Sequence, residues 1–224
     1  MSKLKIEKSG NISGLSKKKS FPKGIERLKK LTDSAAELFL EFGYEAASVD
    51  MLINRVGGSR RNIYEYFGGK EGLFSAVISE ECKKIAEPLE ELALSDTNIR
   101  ATLVKFGEEL LQATKNPRTL ELHRLMISEG KRFPELSREI WFAGHHYGKA
   151  ILEKWILYQQ SKGKINSDFD ASSLSYAFLH MITSETQLKM LSGGREPTPE
   201  QGTKIINLAV EMFITTTTKL AKNH

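Results

Sequence analysis

Apolar residues along this chain recur at steps of three and four, not two, so the pattern predicts helices throughout. Ile25, Leu28, Leu31, Ala35, Leu38, Phe39 and Phe42 form one such face from Gly24 onward, and Gly43 ends it where a left-handed C-cap residue belongs. Ser48 can cap a short second helix whose buried side is Leu52, Ile53 and Val56, with Met51 close behind its start. Gly57-Gly58 breaks the chain, and Ser59 can cap a third helix running to about Phe67. After Gly68-Gly69, a long helix begins near Lys70; Leu73, Phe74, Val77, Ile78, Ile85 and Leu89 carry it to about Leu94. Helical spacing returns near 97–114, 117–130, 134–160, 170–191 and 199–219, separated by breakers such as Asn116-Pro117 and Phe133-Pro134. The run Thr215 to Thr218 is β-branched but closes a helical pattern, so it belongs to the last helix. The expected fold class is all-α, with about nine helices.

Charge changes the picture because it is unevenly placed. Residues 1–70 hold 14 Lys/Arg against 8 Asp/Glu, a net of +6, whereas residues 71–224 hold 19 against 20, a net of −1. A basic head on a near-neutral body suits an anionic partner. Residues 1–22 lack periodicity and carry Lys17-Lys18-Lys19, which reads as a flexible basic arm. The expected organisation is an arm over 1–22, a DNA-binding unit over 23–70 and a body over 71–224. No apolar run nears the roughly 18 residues that span a bilayer, and the first twenty residues are not a secretory signal. The single cysteine, Cys82, fits a reducing compartment, so a cytoplasmic protein with no membrane partner is expected.

Two short helices about a glycine turn make a helix-turn-helix, and the second has a distinctive surface. Ile63 and Phe67 can face inward, leaving Arg60, Arg61, Asn62, Tyr64 and Tyr66 on the front and flanks. Arginine donates to guanine edges or phosphate, asparagine suits adenine, and tyrosine hydroxyls reach phosphate oxygens. Lys70 starts the next helix, where its ammonium and free backbone N–H groups together favour a phosphate. Ser48, Ser59 and Lys70 then flank a reading helix as phosphate clamps. The expected partner is a double-stranded DNA operator.

With these residues in view, Leu31 to Val77 resembles the DNA-binding domain of the TetR (tetracycline-repressor) family. The resemblance rests on "AAELFLEFGYEAASVD", the Gly57 turn and "IYEYFGGKEGLF", in the family's order and spacing. Arg61 and Asn62 stand where many members carry a small residue and threonine, and Arg61 adds a guanine reader. Glu121 to Phe142 is similar to a stretch of a subgroup with an AefR-like C-terminal domain. The resemblance implies a three-helix reading head joined to a ligand-binding and dimerisation body, and hence a ligand-responsive repressor acting as a homodimer on a near-palindromic operator.

The last two helices are the expected dimer faces, through Leu174, Ala177, Phe178, Met181, Ile205, Leu208, Met212 and Phe213. Candidate contacts for an unknown small-molecule effector are polar or aromatic side chains on otherwise apolar helices: His123, Met126, Trp141, His145, Tyr147, Trp155, Tyr176 and His180. No cofactor is expected. Nor is a metal: His145 and His146 point about 100° apart on a helix, and a site would have to be assembled from His123, Glu129 and His180. Enzymatic function has no support. "GGKEG" lacks the Ser or Thr after its lysine and has Tyr64 where a phosphate loop needs glycine, and no nucleophile elbow or dinucleotide fingerprint occurs. The alternative is a nucleoid-type helical protein that coats DNA without sequence choice.

Overall fold

The three- and four-residue apolar step of the first segment produces helix α1 (Phe21–Ala46), which buries Leu31, Ala35, Ala36, Leu38 and Phe39. The computed structural model describes residues 21–92 and 98–218, with side chains from residue 27 onward except at 139 and 143–145. Most of the expected basic arm therefore lies outside the described residues. Helix α1 starts at Phe21, ahead of the expected Gly24, with Pro22 in its first turn, where a missing N–H breaks no helical bond. Gly43 interrupts it at φ 77° and ψ 171°, a positive-φ conformation open chiefly to glycine but outside the left-handed helical cap the sequence suggested. Phe42, read as inward, is 43% exposed, because the buried stripe ends at Phe39.

The following elements are α2 (Val49–Val56), α3 (Arg60–Phe67), α4 (Lys70–Glu90), α5 (Ile99–Lys115), α6 (Pro117–Glu129), α7 (Pro134–Ser161), α8 (Ala171–Leu191) and α9 (Pro199–Thr218). The described residues form nine helices and no strand. Helix α4 stops at Glu90, short of the expected Leu94, and the Glu91 N–H closes its last turn on Glu87 O at 3.0 Å. The threonines do stay in α9, where Thr217 and Thr218 donate their hydroxyls back to Phe213 O at 2.8 Å and Ile214 O at 2.6 Å.

Two hydrophobic cores result. One joins α1, α2 and α3 to the first half of α4 and continues into Leu122 and Leu125 of α6 and Leu136 and Ile140 of α7. The other fills the body with Leu103, Phe106, Leu152, Ile156, Phe178, Val210 and their neighbours. Helix α4 runs through both, packing on α1 at one end and along α7. The first core therefore crosses position 70 and ties the helix-turn-helix to α6. Among the described residues no helix is long and apolar enough to cross a membrane.

Candidate DNA-binding head and ligand cavity

The head is set by its caps and one tight turn. Ser48 Oγ accepts from Met51 N at 3.1 Å and Ser59 Oγ from Asn62 N at 3.3 Å, so both serines cap the helices that follow them. Gly57, at φ 74°, sends its N–H to Ile53 O at 2.8 Å and turns the chain toward α3. Gly72 lets α4 start directly against the end of α3, since a Cβ there would lie 1.8 Å from Phe67 O. Ile63 is fully buried beneath the third helix, and Phe67 is half-buried.

This fixes the outward face of α3. Arg61 has 84% of its side chain exposed, Tyr64 is 61% and Tyr66 50% exposed, and Asn62 is half-buried on the flank. Arg61 Nε donates to Glu65 at 2.7 Å one turn along. Arg60 forks onto Asp50 of α2, with its Nε 2.7 Å from Oδ1; that hydrogen bond holds the Asp50 carboxyl below its ordinary range. Both pairs are solvent-exposed and therefore weak, so a phosphate or a guanine edge can replace either carboxylate. Lys70 is engaged differently from the other cations of the head. Its ammonium donates to Glu45 O at 2.9 Å and lies 4.6 Å from the centre of the Tyr44 ring. Burial lowers its pKa, against the opposing pull of Glu129. Lys70 ties α4 to the end of α1, a role the sequence pattern did not reveal.

The body contains a cavity of about 320 Å³ between α4, α5, α6, α7 and α8. Of the side chains expected to meet an effector, His123, Trp141, Tyr176 and His180 line it. Trp155 does not: it is buried in the body core. Met126 packs against the head core, on the face of α6 turned toward α1 and α4. Tyr147 lies off the stripe Phe142, His146 and Lys149 that α7 turns to the cavity. The side chain of His145 lies outside those described. His123 is fixed at both ring nitrogens, with Nδ1 2.8 Å from Thr119 O, which can only accept, and Nε2 2.7 Å from the Gln187 amide nitrogen. Burial lowers its pKa, against the opposing hydrogen bond to Thr119 O. Among the described residues no group of His, Cys, Asp and Glu could hold a metal; Glu129 lies at the far end of α6 from His123.

Sequence reasoning missed Thr119 and Gln187, which also line the cavity. Thr119 had a readable signal. Thr119 sits in the first turn of α6 behind Pro117, where the carbonyl three residues back, that of Asn116, accepts from Leu120 N at 3.2 Å. Gln187 had none, because its partner is 64 residues away.

The same α6, with the turn that follows it, reaches the head. Glu129 Oε1 accepts from Tyr44 N at 2.9 Å, Arg132 pairs with Glu45, and Phe133 stacks edge-on against Tyr44 with ring centres 4.9 Å apart. Further up, Arg118 joins Glu81 of α4 at 2.6 Å and Glu37 of α1 at 2.9 Å. One helix thus lines the cavity with Thr119 and His123 and holds the reading head along its length, from Arg118 to Glu129.

A helix-turn-helix with an exposed Arg- and Tyr-bearing second helix, on an all-α body with an apolar cavity, defines a DNA-binding regulator. Two family models match the chain: residues 31–77 match the "Bacterial regulatory proteins, tetR family" model, and residues 101–216 match the "AefR-like transcriptional repressor, C-terminal domain" model. The chain belongs to the TetR family and is a sequence-specific DNA-binding transcriptional regulator. Dimerisation and ligand response are typical of that family. Among relatives, the repressor AcnR of Corynebacterium efficiens is 36% identical over 72 residues, which is 32% of this chain and 38% of AcnR. The repressor ComR of Escherichia coli is 26% identical over 170 residues, covering 74% of this chain and 80% of ComR. The solved structure of the flavonoid-responsive regulator FrrA superposes with a TM-score of 0.77 at 22% identity, covering 87% of this chain and 98% of that one, a likeness of fold.

Proposed function

We propose that this protein is a homodimeric repressor whose operator affinity falls when a small molecule occupies the body cavity. The observation that carries this reading is the double attachment of α6, with Thr119 and His123 at the cavity and Glu129 on the backbone of Tyr44. A ligand that favours a different placement of α6 changes the position of the end of α1, and with it the separation of two reading helices. Two such helices must lie about 34–36 Å apart to enter successive major grooves. The ligand shifts this balance only by its difference in affinity for the two arrangements. The repressor assignment is supported by the named relatives, and FrrA shows that a similar fold can respond to a small molecule.

Dimerisation is supported by how the last two helices divide their apolar residues. Phe178 and Phe213 are buried in the chain's own core, whereas Ala177, Met181, Leu188, Leu208 and Met212 remain exposed. Leu208 is 63% exposed, and exposed apolar side chains on two neighbouring helices suit a second copy. Leu208→Glu therefore yields a folded monomer by light scattering, with DNA affinity reduced to that of one head. A Leu208→Glu chain that remains a dimer contradicts this interface.

A further inference from the structure

The cavity is closed toward the core of the body and open on one side. Its liners from α4 and α5 include Ala86, Leu89, Leu110 and Thr114, all buried. Those from α7 and α8 differ: Phe142 is 59% exposed, Tyr176 48% and Trp141 42%. The mouth therefore lies between α7 and α8, and aromatic rings that a lone chain leaves in water form its rim. Among the described residues that line the cavity, Lys149 is the one Lys, Arg, Asp or Glu, and Glu153 pairs with it at 3.3 Å. An apolar rim without an unmatched charge suits burial against another apolar surface.

Helix α8 identifies that surface. Tyr176, His180, Thr183 and Gln187 form one stripe along it and face the cavity. Ala177, Met181 and Leu188 form a second stripe, exposed to solvent. At about 100° per residue, the second stripe lies roughly a quarter-turn from the first, so their edges meet. Ser184 stands at that edge, exposed, with its Oγ 3.0 Å from His180 Nδ1. The second stripe, with Leu208 and Met212 of the adjoining α9, is the face read above as meeting a second copy. A copy docked on it continues onto the rim of the mouth, and two-fold symmetry makes the cover mutual.

We propose that each copy of this chain covers the mouth of the other's cavity, so that the effector site is complete only in the dimer. This rests on the reading of α8 and α9 as the dimer face. Cavity occupancy is then linked directly to how the two bodies sit against each other, and with it to the separation of the heads. By linkage, an effector held across the mouth tightens the dimer by the same factor by which the dimer tightens its binding.

Helix α9 supplies none of the described residues that line the cavity, so a change at Leu208 or Met212 reaches the mouth only through a second copy. Both side chains are exposed, and glutamate at either position leaves the fold intact. Full-length wild type, Leu208→Glu and Met212→Glu are compared by acrylamide quenching of tryptophan emission, with sedimentation on the same samples. The chain has two tryptophans, and Trp155 is buried in the body core, so a Trp141→Phe version of each protein isolates the Trp141 signal. Trp141 is expected to be shielded in the wild-type dimer and about threefold easier to quench in both monomeric variants. Dilution of the wild type through its dissociation range gives the same rise without a mutation. Trp141 equally quenched in dimer and monomer overturns the shared mouth while leaving the dimer face standing. A wild type that sediments as a monomer, or variants that remain dimers, overturns the dimer face and the shared mouth together.

Discussion

The two cores of this protein are packed to different standards. In the head core, Phe39, Tyr44, Phe74 and Phe133 form a chain of ring contacts with centres about 5 to 6 Å apart, and the space among Ala35, Phe39, Leu52 and Leu73 amounts to about 10 Å³. In the body, α4 to α8 leave about 320 Å³ and an unpartnered buried hydroxyl. A gap of the first size barely admits one water, whereas the second falls within the range of small-molecule sites. The difference teaches where each region spends its stability. The head must present α3 in a fixed pose, so it closes around its aromatics. The body gives up contacts that a ligand can restore.

The comparison breaks first at Phe74, which is fully buried at the meeting of α1 and α4. Phe74→Ala costs about 3–5 kcal/mol in denaturant unfolding, whereas Leu179→Ala, on the cavity wall, costs markedly less because part of its surface already faces empty space. Equal costs would show that the body is as tightly packed as the head.

Next in size is the charge cluster that links the two regions. Burial alone would raise the Glu81 carboxyl, but hydrogen bonds from Arg118 and Lys84, with their charges, outweigh it and hold the pKa below the usual 4.5. Arg118→Ala leaves Glu81 buried without its main partner and costs about 3 kcal/mol. A depressed carboxyl contributes stability above its unfolded pKa that is lost as pH falls through the folded one. Wild-type stability therefore drops as pH falls below about 4.5, and Glu81→Gln makes that acid limb shallower. Denaturant curves from pH 7 to pH 3 read both effects.

Smaller again is Gly43→Ala. The position holds φ 77°, and a Cβ would lie 2.8 Å from Glu129 Oε1. Strain and displacement of that carboxylate cost about 1–3 kcal/mol, with hydrogen exchange rising first at Tyr44 and its neighbours. Exchange that rises uniformly would detach this contact from the head. Arg61→Ala sharpens the comparison from outside both cores. It leaves folding unchanged, since the side chain is 84% exposed, and costs about 1–3 kcal/mol on the preferred DNA site if Arg61 reads a guanine.

Much of this was legible in the chain because local rules governed it. The apolar steps of α1 and α4, the serine caps at Ser48 and Ser59 and the glycine turns each act within a few residues of their cause. The outward face of α3 followed from Ile63 and Phe67 alone. The rest depended on distant partners. Lys70 was read as a phosphate clamp from its place at a helix start, but its grip on Glu45 O arises from how α1 meets α4. Trp155 and His123 look alike in sequence, an aromatic ring on an apolar helix. Only packing sends one into the core and the other to the cavity. Glu129 on Tyr44 N joins positions 85 residues apart, and no periodicity announces it.

The central claim, that the head reads DNA sequence as a two-fold pair under control of the body, is tested most directly by selecting bound sequences from a random duplex pool. The purified full-length chain is used at near-physiological salt. The account predicts enrichment of a near-palindrome whose half-sites lie about one helical turn apart. Salt-sensitive binding that enriches no sequence would contradict it and favour a protein that coats DNA without choice.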